Sequence, residues 1–222
     1  MDQFIIEGGH PLSGTVVPAG NKNAAQPLLA ATLLTQEPVI LKNVPQIGDI
    51  AIILDILRDL GADVCESGDH ELTVCTRNVE KSALRADLCR KVRGSFMFAG
   101  PLLGRFGQAT IPRPGGDRIG RRRVDTHLIA LEGLGAQIYT NHIYGFKAPR
   151  GLTGADIFLD ERSVTGTENA VMAAVLARGK TVLRNVASEP HVQELCVLLN
   201  KMGAQILGIG TNELVIEGVT EL

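Results

Sequence analysis

Apolar residues recur at three- and four-residue steps in Ile50, Ile53, Leu54 and Leu57, which marks one face of a helix over residues 47–60. Segments 125–134 and 191–202 carry the same amphipathic pattern. Each of the three runs into a short signature: Leu60-Gly61-Ala62, Leu134-Gly135-Ala136 and Met202-Gly203-Ala204. A glycine in that place fits the left-handed position that ends a helix. After each signature the pattern switches to alternation, predicting two strands joined at Asp69-His70, Asn141-His142 and Thr211-Asn212. The three glycines are spaced about 70 residues apart, so the chain contains an internal repeat.

Upstream of each amphipathic helix lies a short predicted strand, at 39–44, 108–112 and 181–186. Two of these end in Asn-Val, at Asn43-Val44 and Asn185-Val186. Further upstream, residues 24–34, 95–103 and 169–177 are apolar or small on nearly all sides, predicting helices that are buried rather than facing water. The repeating unit is therefore strand, buried helix, strand, surface helix, strand, strand, over approximately 15–78, 79–150 and 151–219. Three such units predict an α/β domain of pseudo-threefold symmetry, with three sheets around three buried parallel helices.

Composition narrows the function classes. The chain has 222 residues, 45% of them hydrophobic and 21% charged, and a net charge of −2, as in an ordinary globular protein. Near-neutral charge, no Trp and 4% aromatics argue against a nucleic-acid partner. Cys65, Cys75, Cys89 and Cys196 form no C-x-x-C pair and show no metal-ligand spacing, so free thiols in a reducing cytoplasm are expected, with no metal and no cofactor. The first residues lack a basic n-region, and no apolar run approaches the roughly 20 residues of a membrane span, so neither export nor a membrane partner is expected.

Candidate chemistry concentrates in Ile111–His127, which holds two adjacent glycines, two aspartates, five arginines and a histidine. Pro112, Pro114, Gly115 and Gly116 predict a loop. Arginine forks match phosphate and carboxylate oxygens bidentately, so the loop suits a small polyanion; a solvated basic turn would have the same composition. The repeat adds a second observation. Each buried helix is predicted to begin at a polar or glycine-containing turn: Gly20–Asn23, Arg93–Ser95 and Val164–Asn169. If the helices are parallel, their unpaired N–H groups and positive dipole ends converge into an anion site, reinforced by Lys22 and Arg93. Asn23, Ser95 and Thr167 can also be read as helix caps.

These segments carry a resemblance. F-I-I-E-G-G-H-P-L-S-G-T-V at 4–16, G-N-K-N-A-A at 20–25, L-K-N-V-P at 41–45, V-R-G-S-F-M at 92–97, P-G-G-D-R-I-G-R-R-R-V-D-T-H at 114–127 and S-V-T-G-T-E-N at 163–169 stand in register along the whole chain. The closing L-V-I-E-G-V at 214–219 also fits. Together they resemble the UDP-N-acetylglucosamine 1-carboxyvinyltransferase family of enolpyruvyl transferases. The resemblance implies an inside-out α/β barrel domain of three βαβαββ repeats over 21–222. It also implies that residues 1–20 pair with a second, C-terminal domain absent from this chain. The expected reaction adds the sugar 3-hydroxyl to phosphoenolpyruvate and expels phosphate, opening peptidoglycan synthesis. The family draws its deprotonating carboxylate from the second domain, so this half is expected to turn over very slowly or not at all by itself.

By the same resemblance, Lys22 and Asn23 contact phosphoenolpyruvate and sugar, and Arg122 holds the enolpyruvyl carboxylate or phosphate. Arg93, Arg122, Arg123, Val124, Asp125 and His127 line the nucleotide-sugar site, while Ser163, Val164 and Thr165 contact the diphosphate or uridine. Asp117 stands where most members carry a cysteine that donates a proton and can trap phosphoenolpyruvate. Its neighbouring arginines favour the carboxylate, so Asp117 donates a proton only if burial on closure outweighs them. Fosfomycin, which alkylates the usual cysteine, is expected to leave this site unmodified; an adduct on Asp117 in intact-mass spectra would contradict the assignment. Arg123 departs from the family's proline, and Glu161 from a lysine found in some members.

Overall fold

The computed structural model describes residues 3–116, 120 and 122–222. The elements run α1 (Lys22–Ala31), β1 (Val39–Leu41), α2 (Gly48–Leu60), β2 (Asp63–Gly68), β3 (Glu71–Cys75), α3 (Ala86–Cys89), α4 (Ala99–Phe106) and β4 (Gln108–Pro112). They continue with α5 (Asp125–Gly133), β5 (Gln137–Thr140), β6 (Ile143–Lys147), β7 (Asp156–Phe158), α6 (Val164–Ala174), β8 (Lys180–Arg184), α7 (Pro190–Lys201), β9 (Gln205–Leu207) and β10 (Glu213–Glu217).

The repeated signatures do the same structural work in each unit. Gly61, Gly135 and Gly203 have φ of 108°, 92° and 114°, a region closed to most side chains. Each turns the chain so that the following alanine N–H reaches back into the helix: Ala62 to Leu57 O, Ala136 to Leu131 O and Ala204 to Leu199 O. Asn43 and Asn185 also take positive φ, 55° and 61°, at the ends of β1 and β8. The valine after each donates to the hairpin across the sheet, Val44 to His70 O and Val186 to Asn212 O. The three sheets accordingly share one order, β1-β3-β2, β4-β6-β5 and β8-β10-β9, with β7 added to the last beside β8.

The opening strand of the unit departs from expectation. Only the third repeat has it, as β7 pairing parallel with β8. In the second it shrinks to a single parallel bridge, Ala83 to Thr110. In the first, residues 3–20 hold no strand, and Phe4, Ile5, Leu12 and Val16 are almost fully exposed. A strand is defined by its ladder, and this segment pairs with no other among the described residues.

The buried helices lie where the sequence placed them, with shifted ends. α1 runs into a 3-10 turn at Thr32–Leu34, and α4 is preceded by a 3-10 segment, Arg93–Phe98. The stretch 164–169, predicted to be a turn, is already the first half of α6, and every residue from Gly166 to Ala174 is buried. Glycine and β-branched Thr weaken helix propensity there, and burial on all sides overrides them. The caps differ too. Asn21 rather than Asn23 caps α1, its Oδ1 accepting the Asn23 N–H at 2.7 Å. Ser163 rather than Thr167 caps α6. Ser95 caps nothing; its hydroxyl donates to Val92 O.

Leu29, Leu33, Phe98, Leu102 and Met172 are fully buried where these helices meet. α4 and α6 cross closely because Gly100 has no side chain: a Cβ there would lie 2.4 Å from Asn169 O. The first repeat joins the second through α1 and the 3-10 segment, and the third through α1 and α7.

Candidate active site

The starts of α1 and α6 and the 3-10 segment that leads into α4 open on one cleft of about 160 Å³. Lys22, Asn23 and Gln26 reach it from α1, Arg93, Gly94, Phe96 and Met97 from the 3-10 segment, and Thr165 from α6. Gly116, Arg122, Val124 and His127 complete the wall from the glycine-arginine loop and the start of α5. Backbone N–H groups at helix starts and four cationic side chains, Lys22, Lys91, Arg93 and Arg122, make this a place for an anion.

The loop is docked by its glycines. Gly115 N–H donates to Cys89 O at 2.9 Å and Gly116 N–H to Arg90 O at 3.3 Å. Arg93 holds the far side of the same loop, donating from Nη2 to the carbonyls of Arg123 at 2.8 Å and Arg122 at 3.3 Å. Burial and the neighbouring Arg122 guanidinium lower the Arg93 pKa from its usual value. Arg93 is thus both a wall of the cleft and a brace for the loop that carries Arg122.

Lys22 does not stand alone. Its Nζ lies 3.0 Å from Asp49 Oδ2, in the first turn of α2, with both side chains partly exposed. An incoming anion would share Lys22 with this carboxylate. Arg123, exposed beside the cleft, pairs with Asp125 at 2.7 Å.

His127 is 3% exposed and packs edge-on against Phe96 with ring centroids 4.9 Å apart. Burial, aided by the Arg93 charge, pushes its pKa down to about 3, so the imidazole stays neutral at physiological pH. Its Nε2 lies 3.1 Å from Thr165 Oγ1 and its Nδ1 lies 3.0 Å from Asn169 Nδ2.

Of the residues singled out from the sequence, Lys22, Asn23, Arg93, Arg122, Val124, His127 and Thr165 meet at the cleft. Arg123 and Asp125 form their ion pair beside it. Ser163 is the cap of α6, its Oγ accepting the Gly166 N–H, and Val164 is the first residue of that helix; neither lines the cleft. Asp117, the candidate proton donor, lies outside the described residues, as do Arg118 and Arg121. Asp49, Gln26 and Lys91 also line the cleft, and the sequence did not single them out because their places there depend on neighbours distant in the chain. Among the described residues no group of His, Cys, Asp and Glu could hold a metal ion, and no helix is long and apolar enough to cross a membrane.

Comparison with known proteins gives the same direction. Residues 6–222 match the family described as EPSP synthase (3-phosphoshikimate 1-carboxyvinyltransferase). The chain is 52% identical over 222 residues to the UDP-N-acetylglucosamine 1-carboxyvinyltransferase of Treponema denticola, covering 100% of this chain and 52% of that protein. It is 50% identical over 220 residues to the enzyme of the same name from Bradyrhizobium diazoefficiens, covering 99% and 51%. Among solved structures, the enolpyruvyl transferase NikO from Streptomyces tendae superposes with a TM-score of 0.81 at 26% identity, over 96% of this chain and 50% of that one. EPSP synthase from Acinetobacter baumannii, with a TM-score of 0.73 and 18% identity over 94% of this chain and 48% of that one, shares the fold. The chain spans about half the length of the relatives it matches. With three sheets around buried helices and a cationic cleft at the helix starts, it belongs to the EPSP synthase family of carboxyvinyltransferases.

Proposed function

We propose that this chain is the nucleotide-sugar-binding half of an enolpyruvyl transferase that acts on UDP-N-acetylglucosamine and phosphoenolpyruvate, the step that opens peptidoglycan synthesis. The observation that carries the reading is the convergence of Lys22, Arg93 and Arg122 with the starts of α1, α6 and the 3-10 segment on one cleft. The reaction forms a C–O bond between the sugar 3-hydroxyl and C2 of phosphoenolpyruvate while C3 takes a proton. It then expels inorganic phosphate as a proton leaves the new methyl group. Its substrates bring a diphosphate, a phosphate and a carboxylate, so cations must hold them before any bond changes. Lys22 and Arg122 are assigned to phosphoenolpyruvate, and Arg93, Asn23 and the start of α6 to the nucleotide sugar. Asp117 is assigned as the acid for C3. The base for the hydroxyl, further phosphoenolpyruvate contacts and a surface for residues 1–20 are assigned to a second domain.

Calorimetric titration with UDP-N-acetylglucosamine, with UDP-glucose as control, tests the reading. Selective binding is expected, and Arg93→Ala is expected to weaken it at least about tenfold, since a charge-assisted contact contributes about 1.5–3 kcal/mol. Equal affinity for both sugars, or no effect of Arg93→Ala, would argue against it. The Arg123–Asp125 ion pair beside the cleft favours a second reading, a relative specific for another nucleotide sugar. The same titration separates the two by the sugar preferred.

A further inference from the structure

Asn169 lies on α6, buried, one turn in from the cleft, and every hydrogen-bonding group of its side chain is engaged. The Gly100 N–H points at its Oδ1 at 2.6 Å. A backbone amide nitrogen can only donate, so the orientation of the Asn169 amide is fixed by that contact. Both hydrogens of its Nδ2 then face the other way. One goes to Phe96 O at 2.9 Å and the other to His127 Nδ1 at 3.0 Å. A nitrogen that accepts a hydrogen bond carries no proton, so the neutral His127 ring must hold its hydrogen on Nε2. That hydrogen is aimed at Thr165 Oγ1. Thr165 therefore accepts from His127, and its own hydroxyl hydrogen is left to donate elsewhere. Thr165 lines the cationic cleft beside Arg93 and Lys22.

We infer that Asn169 is a positioning residue that locks His127 in the Nε2–H tautomer and so makes Thr165 a hydrogen-bond donor to a phosphoryl oxygen in the cleft. With the opposite tautomer, Nε2 would accept the Thr165 hydrogen, and the threonine would turn oxygen lone pairs towards the anion. The direction of one buried amide thus decides whether the Thr165 hydroxyl donates to a phosphoryl oxygen or turns its lone pairs towards it. The inference that the phosphoryl group is the diphosphate of a nucleotide sugar rests on the proposed function; the tautomer does not.

The two halves can be tested separately on the same chain. Long-range proton–nitrogen NMR of the unliganded protein is expected to show His127 with a protonated Nε2 and a bare Nδ1. In Asn169→Asp at pH 8, which keeps an oxygen for Gly100 but cannot donate, a proton is expected on Nδ1. A bare Nδ1 in that variant, or a protonated Nδ1 in the parent, overturns the lock. For the second half, Thr165→Val is expected to weaken UDP-N-acetylglucosamine binding about tenfold, with Thr165→Ser within about twofold of the parent. Parent-like affinity in Thr165→Val overturns the donor role. If the parent does not bind the nucleotide sugar, the proposed function fails, and inorganic pyrophosphate becomes the probe for the same pair of variants. Loss in Thr165→Val and retention in Thr165→Ser again support the donor role, and equal affinities, including none, overturn it. Phosphoenolpyruvate and inorganic phosphate run in parallel show which phosphoryl source the threonine serves.

Discussion

Replacing Glu168 with glutamine is expected to raise the melting temperature markedly at pH 8 and to leave it almost unchanged near pH 4.5. Glu168 sits in the fully enclosed part of α6, 1% exposed, and its Oε1 has no hydrogen-bond partner among the described residues. Burial, with a smaller contribution from the nearby Glu189 charge, pushes its pKa up to about 9 from an ordinary value of 4.5. Below pH 4.5 the carboxyl is protonated in folded and unfolded chains alike, and folding is unaffected. Between pH 4.5 and 9 the unfolded chain releases this proton and the folded chain keeps it, so stability falls as pH rises. Each pH unit in that window removes up to about 1.4 kcal/mol. Glutamine cannot ionise, so by pH 8 the variant should gain as much as about 4–5 kcal/mol, or about 10 °C or more for a chain of this size. His127 acts with the opposite sign. Its pKa of about 3 means that the unfolded chain gains a proton below about pH 6.5 that the folded chain refuses. Stability therefore falls on the acid side too, and the two effects nearly cancel between about pH 4.5 and 6.5. Thermal melts from pH 4 to 9 check this; an alkaline limb that persists in Glu168→Gln would assign it to another group.

Gly115→Ala is expected to abolish most nucleotide-sugar binding while leaving the fold in place. A Cβ at this position would lie 1.7 Å from Arg90 O and 2.4 Å from Arg90 C. Those are backbone atoms held in turn by the Arg90 N–H to Ala86 O bond, so they cannot yield. The loop must lift instead, breaking Gly115 N–H to Cys89 O and Gly116 N–H to Arg90 O. Arg122 would then lose its place in the cleft, with a loss of affinity of about tenfold to a hundredfold. The melting temperature should move by only a few degrees, because residues 113–116 belong to no helix or strand. Gly145→Ala, whose Cβ finds nothing nearer than 3.8 Å, is the control that should retain parent affinity. Parent-like affinity in Gly115→Ala would mean that the docked loop is not part of the binding site.

The repeat was legible because its devices are local. A left-handed glycine after an amphipathic helix, or an asparagine that turns at a strand end, announces itself within a few residues. The meeting of Lys22, Arg93 and Thr165 followed from symmetry, since equivalent helix starts in three parallel units must share one end of the domain. What stayed hidden depends on pairs distant in the chain. Asp49 meets Lys22 across 27 residues, and Asn169 serves Gly100 and Phe96 across 69 and 73. Residues 3–20 form no strand because no edge among the described residues receives them, and a local pattern does not say where a partner edge lies.

The way the repeats meet has a consequence for how such a protein can change over time. In a linear array each unit touches only its neighbours, so units can be gained or lost at little structural cost. Here α1 packs on the 3-10 segment, α4 on α6, and α7 back on α1, so the third repeat returns to the first. No unit is terminal, and none needs a polar cap on an outer face. Removing one would open the shared core on two sides, and adding one would push the other helices apart. Closure therefore fixes the repeat number at three and leaves variation to the loops at the mouth of the cleft.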